Sequence, residues 1–78
     1  MTQAYIMLNV EAGSEEEVLK KLRALNILEE AFVSYGVYDL VIKIKAENIE
    51  ELSEAVSNKI RGIEQIQSTL TLLVTDKQ

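Results

Sequence analysis

Three patterns in this 78-residue chain predict an α+β fold: a four-stranded antiparallel sheet backed on one face by two helices. Ala4 to Glu11 alternates apolar and polar residues, the two-residue period of a half-buried strand. Val18, Leu19, Leu22 and Leu25, and later Leu52, Ala55, Val56 and Ile60, recur at helical spacing. Two β-like runs, Ile27 to Tyr35 and Asp39 to Ala46, flank a short link containing Gly36, which reads as an antiparallel hairpin.

In chain order, Ala4, Ile6, Leu8 and Val10 form the apolar face of the first strand, with Tyr5, Met7, Asn9 and Glu11 opposite. Gly13-Ser14 ends it. Ser14 followed by Glu17 fits a capping box, and the acids at 15 to 17 and the bases at 20, 21 and 23 suit a helix dipole over residues 14 to 25. Strand two covers Ile27 to Tyr35. Strand three covers Asp39 to Ala46, with Leu40, Ile42 and Ile44 on one side and Val41, Lys43 and Lys45 on the other. Asn48 with Glu51 repeats an N-cap signature, and Gly62 is a natural C-terminal stop for the second helix. Ile63 to Thr75 is a β-branched final strand. The order β-α-β-β-α-β is that of the ferredoxin-like fold, and the chain reads as one domain over residues 1–78, with no linker or low-complexity tract.

Composition narrows the function. Eight Lys and Arg against thirteen Asp and Glu give a net charge of −5, which disfavours direct nucleic-acid binding. The chain has no cysteine and no histidine, which removes disulfides, thiolate metal sites and the commonest general base, metal ligand and haem ligand. No segment approaches the roughly 18–20 apolar residues that span a bilayer, and the N-terminus lacks the features of a signal peptide, so a cytoplasmic protein without membrane contact is expected. No cofactor is implied. A chain this short buries only about 60% of its extended surface on folding. With one helix layer, the sheet face carrying Tyr5, Met7, Asn9, Val41 and Lys43 stays open, too apolar for a solvated face. Sheet-to-sheet dimerisation is therefore expected.

Most polar patterns have a structural explanation. The serine and asparagine followed by glutamate are helix caps, and the acidic clusters at 15–17 and 50–51 are solvated first turns. There is no phosphate-binding glycine motif among the three glycines. What stands out is Gly36-Val37-Tyr38-Asp39. Taken alone it reads as an ordinary turn, with Tyr35 and Tyr38 as strand aromatics. It also sets a flexible backbone, a phenol and a carboxylate at one bend. A carboxylate beside free backbone N–H groups is what a zwitterionic amino acid requires.

The run from Val33 to Ile44 resembles the G-x-Y-D-hydrophobic signature of the Lrp/AsnC regulators' effector domain. Gly62-Ile63, followed by Ile66, Ser68 and the β-branched run to Val74, resembles that domain's last strand, G-V-x-x-T-x-T-x-x-V. The resemblance covers nearly the whole chain in matching element order. Ile66 and Ser68 stand where the family usually has threonines; loss of the first hydroxyl suggests an incomplete polar pocket or a preference for an apolar side chain. The family's N-terminal helix-turn-helix is missing, since the first strand begins within a few residues of Met1, so the chain looks like a stand-alone effector domain.

The resemblance implies a dimeric α+β barrel whose dimers assemble into rings, octameric or of another size. It implies an amino-acid effector bound at dimer–dimer contacts, and hetero-assembly with full-length relatives that modulates transcription without touching DNA. Asp39 would hold the ammonium, the Gly36–Val37–Tyr38 backbone the carboxylate, and Ile66 and Ser68 the side-chain region. Two alternatives share the topology: a dimeric α+β-barrel enzyme of monooxygenase type, which the absence of histidine disfavours for haem-binding members, and an amino-acid-binding regulatory subunit acting in trans on a metabolic enzyme.

Overall fold

A computed structural model describes residues 2–74. The elements run β1 (Thr2–Val10), α1 (Glu15–Arg23), β2 (Leu28–Val33), β3 (Leu40–Ala46), α2 (Ile49–Ala55), a π-helical turn (Val56–Ile60) and β4 (Ile66–Val74). The sheet order is β2-β3-β1-β4 with every pairing antiparallel, which is the expected ferredoxin-like arrangement.

Alternation positions the core. Ala4, Ile6, Leu8 and Val10 of β1 and Leu40, Ile42 and Ile44 of β3 are buried. They meet Val18, Leu19 and Leu22 of α1 and Leu52, Val56 and Ile60 of the second helical segment. Register carries the same split onto β4. Thr69 and Thr71 oppose Leu8 and Ile6 on the helix side, while Leu70 and Leu72 oppose Met7 and Tyr5 on the open side. Phe32 opposite Val41 completes an open face on which Phe32, Leu70 and Leu72 are about half exposed. Lys43 sits over the Tyr5 ring at 5.7 Å and, like Lys45, pairs with Glu29, so the β2–β3 side of that face is more polar than its centre.

Several boundaries and caps differ from expectation. Ser14 is not a side-chain N-cap. Gly13 takes φ +82° and folds the chain back, so the Ser14 N–H donates to the Glu11 carbonyl (3.0 Å), as does its hydroxyl (2.6 Å). Glu17 consequently does not close a capping box; its carboxylate accepts from the Gln65 amide (3.0 Å), and Lys21 donates to the same glutamine (3.0 Å). Asn48 does cap α2, its Oδ1 accepting from the Glu51 N–H (2.8 Å).

The second helical segment ends differently from a glycine-terminated α-helix. Its last turn widens to a π-helix, with Arg61 N–H donating to the Val56 carbonyl (3.0 Å). Gly62 follows without a positive φ, and a Cβ there would lie 2.8 Å from the Asn58 carbonyl oxygen. The glycine is required for close approach. Residues 63–65 then turn, which is why β4 starts at Ile66 and not Ile63; the expected end at Thr75 lies outside the described residues.

Gly62→Ala is expected to lower the free energy of unfolding by about 1 to 3 kcal/mol, measured by denaturant titration at fixed protein concentration. Unchanged stability contradicts the close approach.

Candidate functional site

The link between β2 and β3 is longer than a tight hairpin turn. β2 ends at Val33 and β3 begins at Leu40, which leaves a loop over residues 34–39. Gly36 sits at φ +148°, in the region that favours glycine. Tyr35 is 95% exposed and Val37 80% exposed, while Tyr38 and Asp39 are partly buried.

Asp39 fastens this loop. Its carbonyl accepts from Ser34 N–H (2.8 Å), its own N–H donates to the Leu8 carbonyl (2.8 Å), and its Oδ2 accepts from the Val10 N–H (2.9 Å). The last contact answers a need created by the sheet. The β1–β3 pairing ends at Leu8 and Leu40, and the Asp39 side chain supplies the acceptor for the Val10 N–H just beyond that end. Asp39 is therefore not a free carboxylate at the start of a strand. One oxygen is committed to the fold, and Oδ1 has no hydrogen-bond partner among the described residues.

The backbone on the other side of the loop is uncommitted. Among the described residues, the N–H groups of Tyr35, Gly36, Val37 and Tyr38 donate to no protein acceptor. A short array of free donors thus stands beside a half-used carboxylate. Chemically, this offers four positive dipole ends and one anionic acceptor, a pairing suited to a small zwitterion.

Ile66 and Ser68 lie at the same end of the sheet, across β1 from Asp39. Ile66 opposes Val10 and packs against the core; Ser68 opposes Asn9 on the open face. They occupy opposite faces of β4, yet both border one concavity of about 310 Å³, lined also by Arg61, Gln67 and Thr69. The Asn9 side-chain amide donates to Ser68 Oγ (3.3 Å). Sequence reasoning left Asn9, the Val10 N–H and Arg61 out of the site. Asn9 was legible as an uncharged polar group on the open face of β1, whereas the other two depend on contacts distant in sequence.

A larger cleft of about 600 Å³ lies at the far end of the sheet, between α2 and the end of β3, lined by Lys45, Glu47, Glu51, Glu54, Asn58 and Lys59 among others. Its mixed charges converge on no common group. Among the described residues, no acidic cluster is arranged to hold a metal ion, and no helix is long and apolar enough to cross a membrane.

The description "Lrp/AsnC ligand binding domain" matches residues 3–77, and the chain belongs to that family. The chain is 35% identical over 71 residues to the HTH-type transcriptional regulator FL11 of Pyrococcus furiosus, covering 91% of this chain and 46% of that protein. It is 41% identical over 56 residues to the regulatory protein AsnC of Escherichia coli, covering 72% of this chain and 37% of that one. The solved E. coli AsnC superposes with a TM-score of 0.90 at 32% identity, over 97% of this chain and 52% of that chain. The solved FFRP-DM1 superposes with a TM-score of 0.94 at 37% identity, over 96% of this chain and 100% of that chain. The chain thus spans about half the length or less of the curated relatives it matches.

Asp39→Ala is expected to destabilise the fold by about 1 to 3 kcal/mol, because it leaves the Val10 N–H without its acceptor. Asp39→Asn, which keeps an oxygen at that position, is expected to cost less than about 1 kcal/mol. Equal stability of the two variants in denaturant titration contradicts the assignment.

Proposed function

We propose that this chain binds a free α-amino acid at the 35–39 loop and acts as an effector-sensing oligomerisation module of Lrp/AsnC-type transcription regulation. The observation that carries the reading is the set of four unpaired N–H groups beside the half-used Asp39 carboxylate. The amides receive the ligand's carboxylate and Asp39 Oδ1 its ammonium, with Ile66 and Ser68 bordering the side-chain region. Partial burial of Asp39 strengthens the ion pair relative to one in bulk water.

The loop's exposed Tyr35 and Val37 leave the site open to solvent on one side, which supports a site that a second copy would complete. The half-exposed Phe32, Leu70 and Leu72 on the open sheet face support pairing of copies through their sheets. Ligand binding and assembly are then coupled, because a site shared between pairs of chains gains affinity when they join. The chain works from the cytoplasm by co-assembling with itself or with full-length regulators, not by contacting DNA, in keeping with its net charge of −5. The naming of its relatives as regulators supports a binding role over a catalytic one.

Calorimetric titration with each of the twenty amino acids is expected to find at least one that binds, and Asp39→Asn is expected to weaken it about tenfold or more while the fold is kept. No heat with any amino acid, or unchanged affinity in Asp39→Asn, contradicts the reading.

A further inference from the structure

The concavity at the start of β4 has a chemistry that the loop lacks. Its lining residues are Arg61, Ile66, Gln67, Ser68 and Thr69. A guanidinium, an amide and two hydroxyls face it, and no carboxylate is among them. In a chain with thirteen acids against eight bases, a concavity lined without an acid is a selective environment. Arg61 forms no ion pair or side-chain hydrogen bond among the described residues, whereas Lys21, Lys43 and Lys45 are each beside a glutamate. Ser68 Oγ accepts from Asn9, which leaves its own proton available to donate.

The backbone fixes where the guanidinium starts. Arg61 N–H closes the π-helical turn on the Val56 carbonyl, and Gly62 packs against the Asn58 carbonyl immediately afterwards. Widening of that last turn, a deviation often found at functional sites, delivers Arg61 to the edge of β4. Ile66, in contrast, opposes Val10 and packs on the core, so its lack of a hydroxyl says little about which ligand side chain is accepted.

Resting on the amino-acid reading above, we infer that Arg61, with the Ser68 hydroxyl, binds an anionic group on the effector's side chain, so that the site selects acidic α-amino acids. The planar guanidinium fork accepts a carboxylate through two parallel N–H donors, a geometry that neither an amide nor an aliphatic side chain reproduces. Asp39 and Ile66 both meet Val10, from opposite sides of β1, so ammonium and side-chain carboxylate are read at the same end of the sheet.

The test is calorimetric titration of the wild-type protein, Arg61→Gln and Arg61→Lys with L-glutamate, L-aspartate, L-glutamine, L-leucine and glutarate. The expected result is that an acidic amino acid binds about tenfold or more tightly than glutamine or leucine. Arg61→Gln erases that preference without weakening glutamine, and Arg61→Lys restores part of it. Arg61 is exposed and buries no contact with the core, and circular dichroism of each variant checks that the fold persists. A wild-type protein that binds glutamine or leucine as tightly as glutamate overturns the inference while leaving amino-acid sensing intact; so does a preference that survives Arg61→Gln. Glutarate that binds in an Arg61-dependent way, with no amino acid binding better, upholds the anion site and overturns the amino-acid reading. Absence of binding by all five compounds overturns the inference, and the amino-acid reading falls with it only when the remaining amino acids also give no heat.

Discussion

Among the described residues, the hydrogen bonds that tie the 34–39 loop to the sheet run through Asp39. Its carbonyl closes the loop on Ser34, its N–H reaches the Leu8 carbonyl, and its carboxylate takes the Val10 N–H. The third tie decides the geometry, since Val10 also opposes Ile66 at the start of β4. One side chain therefore sets how far the free amides of 35–38 stand from the concavity beside Arg61. A carboxylate held by a backbone donor is also preorganised: it loses little rotamer freedom when a ligand arrives, which reduces the entropy cost of binding.

The sheet's asymmetry gives the site its context. Both helices cover the face built from Ile6, Leu8, Leu40 and Ile42, and the opposite face remains without a layer. For a chain of 78 residues, an uncovered apolar face is a stability deficit, which the proposed pairing of copies would relieve. The loop, Asn9, Ser68 and Arg61 lie at one end of that sheet, where, in the proposed assembly, packing against a neighbouring copy would change solvent access to the amides of 35–38. In the proposed mechanism, this links ligand occupancy to assembly without any large movement within the chain.

Much of this was legible in the sequence. Strict alternation in β1 and β3 identified both the core stripe and the open face, because a period of two admits no ambiguity once one face is buried. The Leu22-centred stripe of α1 and the Asn48 cap were equally local and equally secure. What escaped depends on contacts remote in sequence or on single backbone dihedrals. Ser14 matched a capping pattern, but the Gly13 turn had already supplied its N–H with the Glu11 carbonyl. The second role of Asp39 rests on a hydrogen bond to a residue 29 positions away. Arg61 drew no notice because an isolated arginine before a glycine has no signature; only the π-helical turn and the strand that follows bring it to Ser68.

In the proposed mechanism, the ligand is received by the free amides of the Asp39-fastened loop. Residue-resolved NMR of the ¹⁵N-labelled protein, titrated with the amino acid that binds most tightly, tests it most directly. The amide resonances of Tyr35 to Tyr38 are expected to shift with ligand in step with those of Ser68 and Thr69, while Val10 remains protected from hydrogen exchange. Shifts confined to Lys45, Glu51 and Asn58, in the cleft at the far end of the sheet, contradict it.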